Sequence, residues 1–195
     1  MVNEKLYNLY LEMRGPIGAP WNLSPKNLYL EFATRDYIER EIKRTKGMKV
    51  CNIGIGAGEW DDYLGYWLNE YGELTSVDID PENIFELRQK IEGHPNPAKV
   101  LCEDILATTL PKQSFDLVTM IGSTLKEIGN YEAGLNATLD LVADGGEFFY
   151  MDFKACHEPT DFEDFITKTD FKIINNEYHD RYPDFPFYIY QVGRK

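Results

Sequence analysis

The chain has few cysteines, fewer basic than acidic residues and no long apolar run, and each shortage argues against a class of function. Its three cysteines, Cys51, Cys102 and Cys156, are scattered and form no Cys-x-x-Cys pair. That spacing argues against a disulfide framework or a thiolate zinc site and fits reduced thiols in a cytoplasm. No stretch approaches the roughly 18 apolar residues of a membrane span. The first residues, Met1 to Lys5, lead into mixed polar and aromatic sequence without the apolar centre of a signal peptide. The expectation is a cytoplasmic protein with no membrane partner. Lys and Arg total 20 against 33 Asp and Glu, a formal charge of -13. Phosphate backbones repel such a surface, so a nucleic-acid partner is disfavoured. Acidity also keeps a protein in solution and by itself needs no partner.

What remains is a chain of 195 residues, 43% hydrophobic, long enough for one domain with a substantial core. It shows no internal repeat, low-complexity segment or linker to a second domain. Residues 1–30 are rich in Tyr, Leu, Pro and Gly, with a short helix expected over 4–13 and then an irregular loop. Ser24-Pro25 reads as an N-cap followed by proline at the first helical position, opening a helix to about Lys46 with an interruption. Strands and helices then alternate. Strands are expected at 49–53, 74–78, 98–102, 115–121, 147–153, 171–178 and 186–192. Helices are expected near 59–71, 81–92, 131–142 and 161–169, with a loop over 103–114. This order implies an α/β fold, a parallel sheet with helices on both faces.

The first strand runs into Asn52-Ile53-Gly54-Ile55-Gly56-Ala57-Gly58, a glycine turn ahead of a helix. Glycine allows a tight turn and lets the backbone approach a ligand. The helix start adds unpaired N–H groups. Ligands of parallel sheets bind beyond the C-terminal strand ends, where strand order reverses. Asp78 ends the second strand, 20 residues after Gly58, and its carboxylate can accept ribose hydroxyls. Glu103-Asp104-Ile105 follows the third strand, where a carboxylate can accept an adenine amino proton. Ile79 and Ile105 can then cover the two faces of the purine. Asp80 is a weaker ribose candidate and a candidate cap for the helix at Pro81. A dinucleotide fingerprint would need glycine at 59, where this chain has Glu59, whose charge would repel a pyrophosphate. A nucleoside without phosphates avoids that repulsion.

The glycine turn, Val77-Asp78-Ile79, Cys102-Glu103-Asp104-Ile105, Phe115-Asp116-Leu117-Val118 and Asp144-Gly145-Gly146-Glu147 together resemble the successive motifs of class I S-adenosylmethionine-dependent methyltransferases. The resemblance covers roughly residues 48–153, and the strand pattern carries it to the C-terminus. It implies a Rossmann-like, seven-stranded, mostly parallel sheet with its last strand antiparallel. Residues 1–46 would form an N-terminal helical cap on a core of residues 47–195 within one methyltransferase domain. The cofactor implied is S-adenosylmethionine, with S-adenosylhomocysteine as product. Gly54 and Gly56 would lie beside its methionine part, Asp78 at the ribose, Asp104 at the adenine amine and Ile105 at the adenine edge. Ile121 would sit near the sulfonium. Asn52 stands where the family more often has Asp or Glu, so a milder electrostatic effect on cofactor binding is expected.

The acceptor is read mostly from what is missing. Ile121-Gly122-Ser123-Thr124 replaces the Asp/Asn-Pro-Pro-aromatic motif of enzymes that methylate nucleic-acid or amide nitrogens. No Pro-Cys pair is present. Only Asp152 is placed for a metal, so no metal site is expected. Metal-free methylation of an O, N or S atom of a small molecule is the resulting reading. A cofactor-binding protein without catalysis, or a partner subunit of a methyltransferase complex, is the alternative. A nicotinamide dehydrogenase is a more distant one. Lys126 is a candidate to face the substrate, as are Tyr7 and Trp21 from a segment expected to cover the cleft. Tyr10 and Arg14 belong to the same segment. His157 and His179 follow strands and can approach a cleft, His94 is expected at the surface, and Cys51 is expected as buried filler.

Overall fold

The computed structural model describes residues 24–122 and 124–194. Tyr7, Tyr10, Arg14 and Trp21, and the helix expected over 4–13, lie outside the described residues. The chain divides into two compact units, residues 1–43 and 44–195.

In the first unit, helix α1 (Pro25–Glu41) starts at the expected Ser24-Pro25 pair, although the Ser24 side chain makes no capping bond. Its buried residues include Leu30, Ala33, Tyr37 and Ile38, the one-sided spacing of an amphipathic helix. The helix runs without interruption and stops earlier than expected, because Ile42 turns to an extended conformation with ψ of 115°.

In the second unit, seven strands form one sheet: β1 (Met48–Ile53), β2 (Gly72–Asp78), β3 (Lys99–Cys102), β4 (Phe115–Ile121), β5 (Val142–Phe153), β6 (Phe171–His179) and β7 (Phe187–Arg194). Their spatial order is β3-β2-β1-β4-β5-β7-β6. The first five run parallel, and β7 lies antiparallel between β5 and β6. The Rossmann-like, mostly parallel sheet with an antiparallel last strand is thus present. Strand order reverses between β1 and β4, which places the ligand crevice at their C-terminal ends.

Helices α2 (Glu59–Trp67), α3 (Pro81–Lys90), α5 (Tyr131–Leu139) and α6 (Pro159–Thr167) occupy the expected connections. Two short elements carried too few residues to show a periodicity: a 3-10 turn at Ile105–Ala107 and helix α4 (Thr124–Ile128). Strand β5 also begins earlier than its sequence suggests. Its register with β4 jumps from Phe115–Val142 to Leu117–Glu147, so Asp144-Gly145-Gly146 is a bulge within the strand and not a turn before it. Gly145 supplies the required positive φ of 74°.

The main core joins β4, β5 and β7 to α5 and α6. Phe148, Tyr150, Phe162, Tyr188 and Tyr190 are all buried within it. A smaller cluster of Ile55, Ile84, Leu87, Ile91 and Val100 seats α3. Cys51 is fully buried in β1, as expected of an apolar filler. Burial pushes its thiol far above the ordinary range, and the Asp61 charge pushes it further. His94 is not at the surface: its side chain is 4% exposed. Its ring packs 4.0 Å from Tyr66, and its Nδ1 accepts from the Asn96 N–H. Gly65 makes this possible, because a Cβ there would come within 2.8 Å of the imidazole.

Candidate functional site

The glycine turn after β1 is built from both sides of the sheet. Gly54, Gly56 and Gly58 have φ of 81°, 53° and 75°, the left-handed region that other residues enter at a cost. A Cβ on Gly54 would collide with the Thr124 side chain, whereas one on Gly56 would meet nothing within 4 Å. The first glycine therefore permits close packing, and the second leaves open space above the turn.

Below the turn lies a buried polar chain. Trp60 Nε1 donates to Thr119 Oγ1 at 3.2 Å, and Thr119 Oγ1 donates to Asn52 Oδ1 at 2.8 Å. The Asn52 amide then donates to Asp61 Oδ1 at 2.9 Å and to the Gly54 carbonyl at 3.2 Å. Asn52 is wholly buried, so its amide holds the turn from beneath. Asp61 is 1% exposed. Burial raises its carboxyl to about 6, the Asp78 charge adds to the rise, and the Ser76 and Asn52 side chains oppose it. Among the described residues neither Asp61 Oδ2 nor Ser76 Oγ makes a hydrogen bond of good geometry.

Asp78 holds the turn from its other side. Its Oδ2 accepts from the Ile55 N–H at 2.7 Å, the Gly56 N–H at 3.3 Å and the Asn83 amide at 3.3 Å. Its Oδ1 accepts from the Asp80 N–H at 2.8 Å. Asp80 in turn caps α3 by accepting from the Glu82 N–H, the second of the two roles its position offered.

The next strand end separates two acids by geometry. Glu103 accepts from Thr108 Oγ1, the Thr109 N–H and Thr109 Oγ1 at 2.7–2.8 Å. Those bonds, the Thr109 N–H first, hold its carboxyl below the usual range. Among the described residues Asp104 accepts only from the Leu106 N–H, through Oδ1 at 2.9 Å, so it has acceptor capacity to spare.

Gly54, Asp78, Ile79, Asp104 and Ile105 come together around one cavity of about 180 Å³. Ile79 is 67% exposed at its rim, and Ile105 is buried at its wall. Glu103, Leu106, Thr124, Glu127 and Ile128 complete much of the lining. The last three come from α4 and were not foreseen. The adjacent Thr124-Leu125-Lys126-Glu127-Ile128 shows no period in five residues, and only the strand-four position hinted at them. Asn52, Gly56 and Ile121 border the same strand ends without lining the cavity, and Lys126, which is exposed, does not line it either.

A second polar cluster lies at the end of β5. Buried Asp152 accepts from the Tyr150 hydroxyl at 2.6 Å and the Phe153 N–H at 2.7 Å. His157 Nδ1 lies 2.7 Å from Asp152 Oδ2. A carboxylate accepts, so Nδ1 carries the hydrogen and Nε2 is the ring nitrogen left for another partner. The Tyr131 ring packs 4.5 Å from the imidazole and fixes its plane. Burial, and then the Asp152 charge, push the Tyr150 hydroxyl far above its ordinary range, which keeps it a donor. The end of β5 adjoins that of β4, where the Gly122 N–H donates to the Met151 carbonyl at 3.0 Å. His179 instead pairs with Glu177 at 3.1 Å on β6, an outer strand remote from the reversal point.

Residues 50–146 match the family model described as a methyltransferase domain. A demethylmenaquinone methyltransferase of Staphylococcus aureus is 27% identical over 112 residues, 57% of this chain and 46% of that protein. The match thus spans less than half the length of that curated relative. The N-methyltransferase NodS from Bradyrhizobium japonicum, in complex with S-adenosylhomocysteine, superposes with a TM-score of 0.73 at 14% identity, over 97% of each chain. The cyclase SpnF superposes with a TM-score of 0.72 at 14% identity, over 87% of this chain and 82% of that one. Residues 50–146 are thus matched by a methyltransferase domain, and the fold is shared with S-adenosylmethionine-dependent methyltransferases.

Proposed function

We propose that the protein binds S-adenosylmethionine in the cavity at the strand-order reversal and methylates an O, N or S atom of a small molecule. The observation that carries this reading is the convergence of Gly54, Asp78, Ile79, Asp104 and Ile105 on that single cavity. The donor set fits the cofactor. Asp78 Oδ1 takes one backbone N–H and retains a lone pair for a ribose hydroxyl. Asp104 Oδ2 is open to an adenine amine, while Glu103 is committed to its own loop. Ile79 and Ile105 offer apolar cover to a purine. Gly56 leaves room above the turn for the methionine part, and Ile121 at the end of β4 borders it.

When bound, S-adenosylmethionine supplies an electrophilic sulfonium methyl. The chain's contribution is alignment, exclusion of water and acceptance of a proton. Asp152 orients His157 so that its Nε2 can take a proton from an acceptor hydroxyl or ammonium. The net charge of -13 favours a small acceptor over a nucleic acid. Three free cysteines suit a reducing, cytoplasmic compartment.

Calorimetric titration with S-adenosylhomocysteine tests the cofactor site, and labelled methyl transfer to a metabolite panel that includes demethylmenaquinone tests the reaction. Absence of binding sinks the whole reading. Binding without transfer to any compound favours the second reading, a cofactor-binding protein without catalysis or a partner subunit of a methyltransferase complex.

A further inference from the structure

Tyr150 and Asp152 stand two residues apart on β5, so the strand period turns both side chains to one face. Phe162 of α6 and Tyr188 of β7 close over that face, with rings 4.6 and 6.0 Å from the Tyr150 ring. Asp152 is fully buried, and among the described residues no Lys or Arg pairs with it. Hydrogen-bond donors meet its charge instead. Oδ1 accepts from the Phe153 N–H at 2.7 Å. The Tyr150 hydroxyl at 2.6 Å and His157 Nδ1 at 2.7 Å both converge on Oδ2. Each donor spreads the charge of that oxygen and leaves less of it for the other. The rest of His157 is fixed without drawing on Oδ2. The Tyr131 ring packs against the imidazole, and the Tyr188 hydroxyl donates to the His157 carbonyl at 3.3 Å.

We infer that Tyr150 is a positioning residue for His157: by sharing Asp152 Oδ2, its hydroxyl holds the carboxylate in place and limits how tightly that oxygen retains the imidazole proton. The inference rests on the reading of His157 as proton acceptor and adds the residue that tunes it. The other groups around the imidazole leave that role to Tyr150. Burial, and then the Asp152 charge, raise the Tyr131 and Tyr188 hydroxyls above their ordinary range, so both stay neutral. Asp161 of α6 adds to the rise at Tyr131. Burial also raises the thiol of Cys156, where the charges of Asp152 and Glu127 add to the rise and Lys126 opposes it. Lys154 and Glu158 face each other at 3.7 Å in water. Among the described residues only Tyr150 and His157 make hydrogen bonds of good geometry to Oδ2.

NMR titration of the imidazole ring protons in the full chain tests this with neither cofactor nor acceptor present. The chain has three histidines, and His157→Gln identifies the resonance that matters. Tyr150→Phe keeps the ring and removes the hydroxyl, so the His157 midpoint should rise by about half a pH unit or more. Tyr190→Phe is the control. It removes a hydroxyl directly across on β7, with its 2.6 Å bond to Glu163, and should leave the midpoint in place. Should Tyr150→Phe fail to fold by circular dichroism, the wild type decides, because the Tyr150 hydroxyl resonance should shift with the same midpoint as the His157 ring. A midpoint that stays or falls in Tyr150→Phe, one that moves equally in Tyr190→Phe, or a hydroxyl resonance indifferent to His157 overturns the inference. On an identified acceptor, the acidic limb of kcat/KM should move up with that midpoint while S-adenosylhomocysteine affinity is unchanged; a limb that stays put overturns the positioning role. A raised midpoint without methyl transfer to any compound upholds the coupling and removes the reading of the reaction instead.

Discussion

Replacing Asp61 by Asn should make the protein more stable at neutral pH and leave it unchanged in acid. The Asp61 carboxyl is raised from 3.8 to about 6, first by burial and then by the Asp78 charge. Between those two values the folded state holds a proton that the unfolded state has released. Stability contributed by the protonated form is therefore complete below about 3.8 and is lost as pH rises through about 6. Each unit corresponds to about 1.4 kcal/mol, so the loss approaches about 3 kcal/mol above pH 6. Asn mimics the protonated acid at every pH. Its carbonyl can still accept from the Asn52 amide, and its amide can donate to Ser76 Oγ, which makes no hydrogen bond of good geometry among the described residues. Urea unfolding of both proteins at pH 4, 6 and 8 measures the difference. The expected gain is up to about 3 kcal/mol at pH 8, shrinking to near zero at pH 4. A gain that does not change with pH, or none at pH 8, would refute the assignment of a strained charge to Asp61.

Three other outcomes follow from the site. Asp78→Ala should weaken S-adenosylhomocysteine binding by calorimetry, by about 1–3 kcal/mol for lost bonds to a charged acceptor. It should also lower stability, because the Ile55 N–H loses its 2.7 Å partner; unchanged affinity in a folded variant removes Asp78 from the site. Gly54→Ala should cost about 1–2 kcal/mol of folding stability from its φ of 81° alone, with more from the Thr124 collision, read by thermal melting. An undiminished melting temperature would show that the turn has another shape. His157→Gln should lower kcat/KM on an identified acceptor by roughly 100-fold or more and flatten the acidic limb of its pH profile, with cofactor affinity unchanged. A retained limb would assign the proton to another group.

The parts of the site that could be read in sequence were those whose chemistry sits on one residue at a regular strand end. The alternation of apolar runs and glycine stops predicted the sheet, and Asp78, the last residue of β2, and Asp104, two residues beyond β3, could be placed at strand ends. Asp80 carried two roles in sequence, and the helix beginning at Pro81 took it as a cap. What stayed hidden depends on distant partners. Asn52 and Thr119 are 67 residues apart, and nothing local signals that they share a hydrogen bond. The α4 wall of the cavity comes from a five-residue helix, too short for any periodicity to register. His94 looked like a turn residue because its burial is decided by Gly65, on another helix. The β5 bulge hid behind an Asp-Gly-Gly run that reads equally as a turn.

The acid missing from position 52 also acquires a reason. The family more often has Asp or Glu there, and this chain instead buries a carboxylate nine residues later, with its Oδ1 2.9 Å from the Asn52 amide. Two acids at that separation, both buried, could not ionise together without a large cost. A neutral Asn resolves the conflict by donating to Asp61 and to the Gly54 carbonyl with the same NH2 group. The turn is then gripped twice, by Asn52 donating to a carbonyl from below and by Asp78 accepting N–H groups from the side. Ionised Asp61 strengthens the lower grip at the expense of overall stability. The substitution at 52 is thus coupled to Asp61 through one shared hydrogen bond, and the shape of the glycine turn depends on both residues together.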